Sequence, residues 1–569
     1  MKFFKYPFIL AFLSFVFYRI ALPPYGAWAI SFLAPCCWFF LYDLPAPPPV
    51  KRFRIFPSFY EQVWCAAVLF WLAVNFWISF PHPATSLGLI ALSFYLALFF
   101  PLFLFLVRSL IRKDSLLSLL VVPPIAWCAV EWLRKHLLGG FSFASLEHSF
   151  YREPFWIQSA DLFGEYTVGM FIVLAGTLIG LFAKRIMQKE RKCFSCICPV
   201  LVLALLIGLH LYYGKYRMDQ IARSADHERA PFTVALLQDN TLFSFPVPEK
   251  TNLAICEKYR SLNRTALLSS KSPDLIVWPE SCFVNPGIVL SSDSKSGGKD
   301  QPGMEKMNEL REKIRRAEQE EIKDLVPSQG TLLLGRGTVE FLTPQKMIFY
   351  NSAYFISSNS ISQGKDPVRY DKIQRVMFGE YIPFAEYLPD SFPLKTLCNS
   401  VQAGKKSVLF SLARDKDPIP VRILPNICFE SSIPHLIQKQ CREWSEQGKS
   451  PDILLNISND GWFKNSWQID LHLATHVFRA AENRKIVLSA THAGLSAAIL
   501  PNGSIKAEGT RGTAQIVNAE LHFHKFDRNF PLLPEFPIVA LLLIGGAMLI
   551  KFRIFCRKRK NQTEETPEG

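Results

Sequence analysis

Apolar and polar positions divide the chain into two textures. From the start to about residue 213 apolar residues dominate almost without break, in runs at roughly 6–21, 25–42, 60–80, 86–106, 116–133, 161–183 and 195–213. An eighth, "FPIVALLLIGGAMLIKF", lies near 536–552. Each approaches the roughly 20 residues a helix needs to cross the hydrocarbon core of a bilayer, so the pattern predicts about eight membrane spans. Between 214 and 534 no run is long and apolar enough to span.

That intervening segment predicts a layered α/β domain. Strands are expected at 232–238, 274–280, 331–340, 351–356, 421–430, 452–459, 485–494, 496–501 and 514–521, and helices near 248–270, 304–323, 430–447 and 470–484. Runs such as "LIV", "LLL" and "ILLNI" lack polar alternation, as strands covered on both faces do. About 300 residues suffice for one domain with its own core. The division expected is therefore 1–213 for seven helical spans, 214–534 for the α/β domain, and 535–569 for an eighth span and a basic tail. The Gly/Ser-rich stretch 291–303 reads as a loop.

Composition and charge agree with a membrane frame. Half of the residues are apolar, 14% are aromatic with 48 Phe, and mean hydropathy is positive. Lys2 and Lys5 before an apolar run imitate a secretory signal, but "ALPPYGAWAISFL" leads straight into a second run. Basic residues cluster in alternate connections: Lys51, Arg52 and Arg54; Arg108, Arg112 and Lys113; Lys184, Arg185, Lys189, Arg191 and Lys192; and the tail from Arg553 to Lys560. The intervening links "LPPYG" and "FPHPATS" carry none. By the positive-inside rule both termini are expected in the cytoplasm and 214–534 on the opposite side. The net charge of +15 is partly topogenic, and no zinc-finger or RNA-binding signature accompanies it, so nucleic acid is not an expected partner.

Thirteen cysteines include several in or beside spans, where cysteine acts as a small hydrophobe. "CFSCIC" (193–198) lacks a second ligand cluster, and no metal or cofactor is expected. In the α/β segment lie Cys256, Cys282, Cys398, Cys428 and Cys441, whose pairing spacing alone leaves open.

Polar residues at the carboxyl ends of strands build sites in such sheets. "LIVWPE" ends in Glu280, "NICFE" carries Cys428 and Glu430, and "NISNDGWF" ends in a polar turn before Trp462. Lys372 stands in "YDKIQRVMFGEYIPF", eight residues before Glu380. Singly, each has a plain explanation as a strand cap, surface lysine or core cysteine. Together they form a coherent set: a thiol, a carboxylate base and an ammonium that steadies a developing oxyanion. Glu131 and Arg134, near the end of the fifth run, are charges at membrane depth, read either as bracing or as a phospholipid head-group contact, with Glu165 as a candidate partner.

These contexts resemble the nitrilase superfamily, whose members carry a Glu-Lys-Cys triad on an αββα sandwich; the order Glu280, Lys372, Cys428 matches. The frame is similar to the family of bacterial apolipoprotein N-acyltransferases, through "PPYGAW", "VEWLRKHLLGGFSF", "LIVWPES", "VMFGEYIPF", "NICFE", "NISNDGWF" and "FRAAENRKIVLSATHAGLSAAILPNG". The resemblance covers nearly the whole chain. It implies a monomeric inner-membrane enzyme with a periplasmic catalytic domain, moving a fatty acyl group from a phospholipid through a Cys428 thioester to the amine of S-diacylglyceryl apolipoproteins. Glu280 would be general base, Lys372 the oxyanion partner, and Glu380 and Glu430 would orient Lys372 or the nucleophile. "TLFSFPVP" (241–248) and "VMFGEYIPF" would line acyl access. The family commonly has tyrosine at Phe429, proline at Met377, arginine at Ser489 and asparagine at His492. None of these departures removes a triad member. The competing readings are a membrane-anchored amidase with the same triad, a transporter, which would need polar or broken spans, and an inactive scaffold.

Overall fold

A computed structural model describes residues 6–44, 58–112, 115–188, 193–242, 247–269, 272–290, 304–343, 346–383, 387, 389, 401–526 and 530–564. The stretch 291–303, Phe243 to Pro246, Phe384, Cys398 and most basic residues of the short connections lie outside the described residues. The chain forms two compact units, one of residues 1–76, 89–217 and 531–569, the other of 77–88 and 218–530.

The first unit is helical. Among the described residues six helices are long and apolar enough to cross a membrane: Phe59–Ser79, Thr85–Leu110, Leu116–Gly139, Tyr166–Met187, Ile197–Arg223 and Phe536–Ile554. The first two expected spans emerge as shorter apolar helices, Pro7–Ala21 and Trp28–Asp43. At 15 residues and 1.5 Å per residue the former reaches only about 22 Å, short of the ~30 Å hydrocarbon core. Ser58 and Glu61 start the third run with a capping box, each side chain bonded to the other's backbone N–H. Gly176 and Gly180 allow Tyr166–Met187 to pack against its neighbour. A Cβ on Gly176 would lie 2.5 Å from the Phe32 carbonyl oxygen, and one on Gly180 2.7 Å from Phe39. Aromatic rings fill the interior, as where Trp38 meets Trp127 at 4.7 Å.

The second unit is the α/β domain. Its strands are β1 (Phe232–Gln238), β2 (Leu275–Val277), β3 (Gly287–Leu290), β4 (Thr331–Thr343), β5 (Lys346–Ser357), β6 (Val368–Asp371), β7 (Phe410–Leu412), β8 (Val421–Ile427), β9 (Ile453–Asn459), β10 (Ile486–His492), β11 (Ala497–Ile499), β12 (Ile505–Glu508) and β13 (Gln515–Leu521). They make a seven-stranded sheet in the order β13-β1-β2-β4-β5-β6, with β3 also on β4, and a six-stranded sheet in the order β12-β11-β10-β9-β8-β7. The central neighbours β1, β2 and β4 run parallel, as do β8, β9 and β10.

Side-chain alternation explains the layering. Val234, Leu236, Val277 and Leu333 join Ile423, Ile427, Leu455 and Leu488 in a core between the two sheets. Ala235, Leu237, Ile276 and Leu334 turn the other way and pack with Ile255 and Tyr259 of the helix Glu249–Leu267 and with Ile322. The helices Pro434–Glu446 and Gln468–Asn483 follow β8 and β9 in the second sheet. The result is a helix–sheet–sheet–helix sandwich whose central strands are buried on both faces.

Candidate active site

Glu280, Lys372 and Cys428 each stand just beyond the carboxyl end of a strand: β2, β6 and β8. Local structure holds each one. After β2, the Trp278 N–H donates to the Leu333 carbonyl at 2.9 Å and its indole Nε1 to Asn263 Oδ1 at 2.9 Å. Gly335 of β4 permits the crossing: a Cβ there would sit 2.2 Å from the Pro279 oxygen and 2.7 Å from Glu280 Cα. The chain then turns sharply through Ser281 at φ +56°. Cys428 itself has φ +54° and opens the 3₁₀ turn Cys428–Ser432. A β-strand feeding a cysteine in the left-handed region is a strained arrangement, kept where surrounding bonds enforce it.

The structure brings Glu280, Lys372 and Glu380 into direct contact. Lys372 Nζ donates to Glu380 Oε1 at 2.9 Å and to Glu280 Oε1 at 3.5 Å. Asn351 Nδ2 bridges the same two carboxylates, at 2.6 Å to Glu280 and 3.2 Å to Glu380. Glu280 Oε2 accepts the backbone N–H of Asn459 at 2.8 Å, and Glu380 Oε2 that of Val376 at 2.8 Å.

The electrostatics separate the two carboxyls. Burial pushes Glu280 above the ordinary carboxylate range, against the pull of Lys372, with Glu380 adding to the rise. Burial acts on Glu380 as well, but the Lys372 ammonium and the Val376 N–H outweigh it and hold Glu380 below its ordinary value. Lys372 stays protonated: desolvation opposes its charge, and Glu380 and Glu280 more than compensate. Burial and then Glu280 raise the Cys428 thiol far above its usual value, with Lys372 pulling the other way. The resting site thus holds a neutral thiol, an ammonium paired with Glu380, and in Glu280 a carboxyl whose raised proton affinity suits it to accept the thiol proton.

Glu430, fully buried, bonds outward from the Cys428 turn. Its Oε1 accepts the N–H groups of Ile373 at 2.7 Å and Gln374 at 2.9 Å, its Oε2 that of Ile427 at 2.7 Å, and the Tyr370 hydroxyl donates to it at 2.8 Å. Phe429 is half-buried beside Cys428. Trp462 packs instead against the core between the first sheet and its helices. Phe378 of "VMFGEYIPF" is exposed.

Glu131 and Arg134 belong to the helical unit. They form a bidentate ion pair at 2.5 and 2.9 Å, buried from solvent. Glu165 is not the partner of Arg134: it pairs with Lys135, which also bonds Glu147 at 2.8 Å, because Lys135 rather than Arg134 faces the loop ahead of Tyr166. Cys256, Cys282, Cys428 and Cys441 are all free thiols. Sequence reasoning missed Asn351, Tyr370, Ser458, Asp460 and His472. Asn351 offered a signal, a lone amide in the apolar run "MIFYNSAYFI".

Residues 14–178 match the apolipoprotein N-acyltransferase N-terminal domain, and residues 234–527, more than half of the chain, match the carbon-nitrogen hydrolase family. Similar relatives include an apolipoprotein N-acyltransferase of Geobacter metallireducens, 27% identical over 87% of this chain and 85% of its own. Those of Rhodopirellula baltica (25% identical, 81% and 84% covered) and Rhodopseudomonas palustris (26%, 97% and 95%) carry the same description. With the sandwich, the strand-end carboxylates, the lysine and the cysteine in place, the chain belongs to the carbon-nitrogen hydrolase family, in a form that joins this domain to an apolipoprotein N-acyltransferase N-terminal domain.

Proposed function

We propose that this chain is an apolipoprotein N-acyltransferase of a bacterial membrane, working by a two-step acyl transfer. The observation that carries the reading is the contact of Lys372 with both Glu280 and Glu380 beside Cys428, in a chain that also supplies spanning helices. In the first step Glu280 takes the thiol proton as Sγ of Cys428 attacks the ester carbonyl carbon of a phospholipid. Lys372 faces the oxygen that becomes negative. The C–O bond breaks, Glu280 returns the proton to the leaving alkoxide, and a lysophospholipid departs, leaving a thioester. In the second step the uncharged α-amine of an S-diacylglyceryl apolipoprotein attacks that thioester, Glu280 takes the amine proton, and the sulfur leaves and regains a proton. A thioester keeps the acyl group activated, and exclusion of water directs it to the amine.

In this reading the α/β domain, 214–534, faces the periplasm of the inner membrane, 1–213 and 535–569 supply the spans, both termini are cytoplasmic and the enzyme acts as a monomer. The test is mass spectrometry of the purified full-length protein after incubation with acyl-labelled phospholipid. An acyl mass on Cys428, removed by hydroxylamine and transferred to a diacylglyceryl-cysteinyl peptide, is the expected result. Release of free fatty acid with no transfer to the peptide would make the chain a hydrolase instead.

A further inference from the structure

Cys428, at φ +54°, follows an Ile427 that is still extended at φ −122°. A residue with a Cβ keeps such a backbone only where its neighbours hold it there. The bonds that do so converge on the Cys428 carbonyl oxygen. Asn456 Nδ2, from the adjacent strand β9, donates to it at 3.0 Å. Ser431 Oγ, from the same 3₁₀ turn, donates at 3.1 Å, and His472 Nε2, from the helix Gln468–Asn483, lies at 3.3 Å. All three side chains are buried.

The Asn456 amide straddles the point where β8 leaves the extended conformation. Its Nδ2 also donates to Oδ1 of Asn426, its register partner on β8, at 2.6 Å. An NH₂ group carries two protons, so both bonds form at once and one side chain grips residues 426 and 428. On the near side, Ile427 is held in the ladder opposite Ile457. With the peptide fixed before Cys428 and the carbonyl fixed after it, φ is fixed, and with it the direction of the bond that carries the thiol.

Asp460 orients the His472 ring. Its carboxylate faces His472 Nδ1 at 3.3 and 3.5 Å and accepts the Ser458 hydroxyl at 3.0 Å. The fold makes room for it: a Cβ on Gly494 would lie 2.4 Å from Asp460 Oδ2, and the Asp460 N–H is anchored on the His492 carbonyl at 3.0 Å. Asp460 and the Cys428 carbonyl are both acceptors, and a ring with a proton on each nitrogen donates to both.

We propose that Asn456 and His472 are positioning residues that aim the Cys428 thiol by holding its carbonyl oxygen, and so its left-handed backbone, with Asp460 orienting the His472 ring. The proposal rests on reading Cys428 as the residue that carries the acyl group.

Two measurements on the full-length detergent-solubilised protein test it: iodoacetamide alkylation of Cys428 read by mass spectrometry, which needs no acyl donor, and single-turnover acyl-enzyme formation from phospholipid. Asn456→Ala releases the carbonyl. A thiol that drifts from Lys372 loses the pull of the ammonium on its proton, so alkylation should slow about tenfold. Acyl-enzyme formation should slow about 10²-fold with the phospholipid KM unchanged. Asn426→Ala takes away only the other partner of the amide and should lose far less in both. At position 472 two amides separate the roles. His472→Gln brings an N–H to the Nε2 position and should stay near wild type. His472→Asn brings one only to the Nδ1 position, reaches Asp460 alone, and should slow alkylation. Should Asn456→Ala not fold, the His472 pair carries the same test. Wild-type alkylation in Asn456→Ala, equal losses in Asn456→Ala and Asn426→Ala, or rescue by His472→Asn rather than His472→Gln overturns the proposal. The expected alkylation pattern in a protein that forms no acyl-enzyme would sink the acyltransferase reading and leave the positioning role standing.

Discussion

The carboxylate of Glu430, two residues after Cys428, accepts the backbone N–H of Ile373, one residue after Lys372, at 2.7 Å. With Gln374, Ile427 and Tyr370 also donating to it, this one side chain ties the Cys428 turn to the Lys372 loop. All its partners are donors, so Glu430→Gln turns an NH₂ group against an N–H. The expected cost is about 1–3 kcal/mol, and melting should fall by about 2–4 °C for each kcal/mol. Acyl-enzyme formation should fall with it, because Cys428 and Lys372 lose their common anchor. Thermal unfolding beside single-turnover acylation checks both; a variant with wild-type melting and rate would refute the tie.

Glu280 and Glu380 share Lys372 and Asn351 yet hold protons with different strength. As pH falls through the raised Glu280 value this proposed base becomes protonated, so acylation should decline there. Glu380→Gln removes a like charge and leaves Lys372 to Glu280, which lowers the proton affinity of Glu280. The acid limb of the rate should move to lower pH, and the plateau should drop about tenfold as the base weakens. Stability follows the opposite signs of the two shifts. Glu380, depressed on folding, contributes stability above its unfolded value that is lost as pH falls through its folded value. Glu280, raised, contributes stability below its unfolded value that is lost as pH rises through its folded value. The deficit of Glu380→Gln should therefore be largest at neutral pH and shrink in acid, as pH-dependent thermal melts would show.

Much of this was legible because the central strands are buried on both faces. β1 runs over Phe232–Gln238, the residues its apolar run predicts, and β9 and β10 fall inside their expected ranges. β3, β6, β7 and β12 went unread. Each has only three or four residues, as in "VRYD" and "IKAE", too few to establish a period of two. That gap hid the setting of Lys372, which follows β6. The groups around the strand-end residues were hidden for another reason. Tyr370 reaches Glu430 across 60 positions and Asn351 reaches Glu280 across 71, and no local pattern encodes contacts made by sheet pairing.

Lys372 is one ammonium held between two carboxylates in a buried site. Lys372→Met keeps most of the stem and removes the charge, leaving Glu280 and Glu380 without their cation. Breaking a buried pair in this way costs about 3–5 kcal/mol. If the ammonium also faces the developing oxyanion, acylation should fall by about 10²–10³. Melting and single-turnover acylation of the same preparation separate the effects: loss of stability with an undiminished rate would leave Lys372 a structural counter-ion only.

Arg134 decides between bracing and head-group contact in the helical unit. Its Nε and one terminal nitrogen grip Glu131, and that terminal nitrogen also reaches Ser145 Oγ at 2.8 Å. The other donates to the Phe141 and Phe143 carbonyls at 2.7 and 3.2 Å. The side chain is 1% exposed and every nitrogen is engaged within the unit, which is the geometry of a brace clamping residues 141–145 to the helix. Lysine cannot reproduce that planar fork. Arg134→Lys should therefore lose at least one charge-assisted bond, about 2 kcal/mol, and melt lower in detergent, with no selective change in the phospholipid KM. Arg134→Met, which leaves Glu131 with Lys135 at 3.8 Å as its remaining cation among the described residues, should fall further, by about 3–5 kcal/mol. A raised KM at wild-type melting in Arg134→Lys would be the mark of a residue that touches lipid, and would overturn the brace.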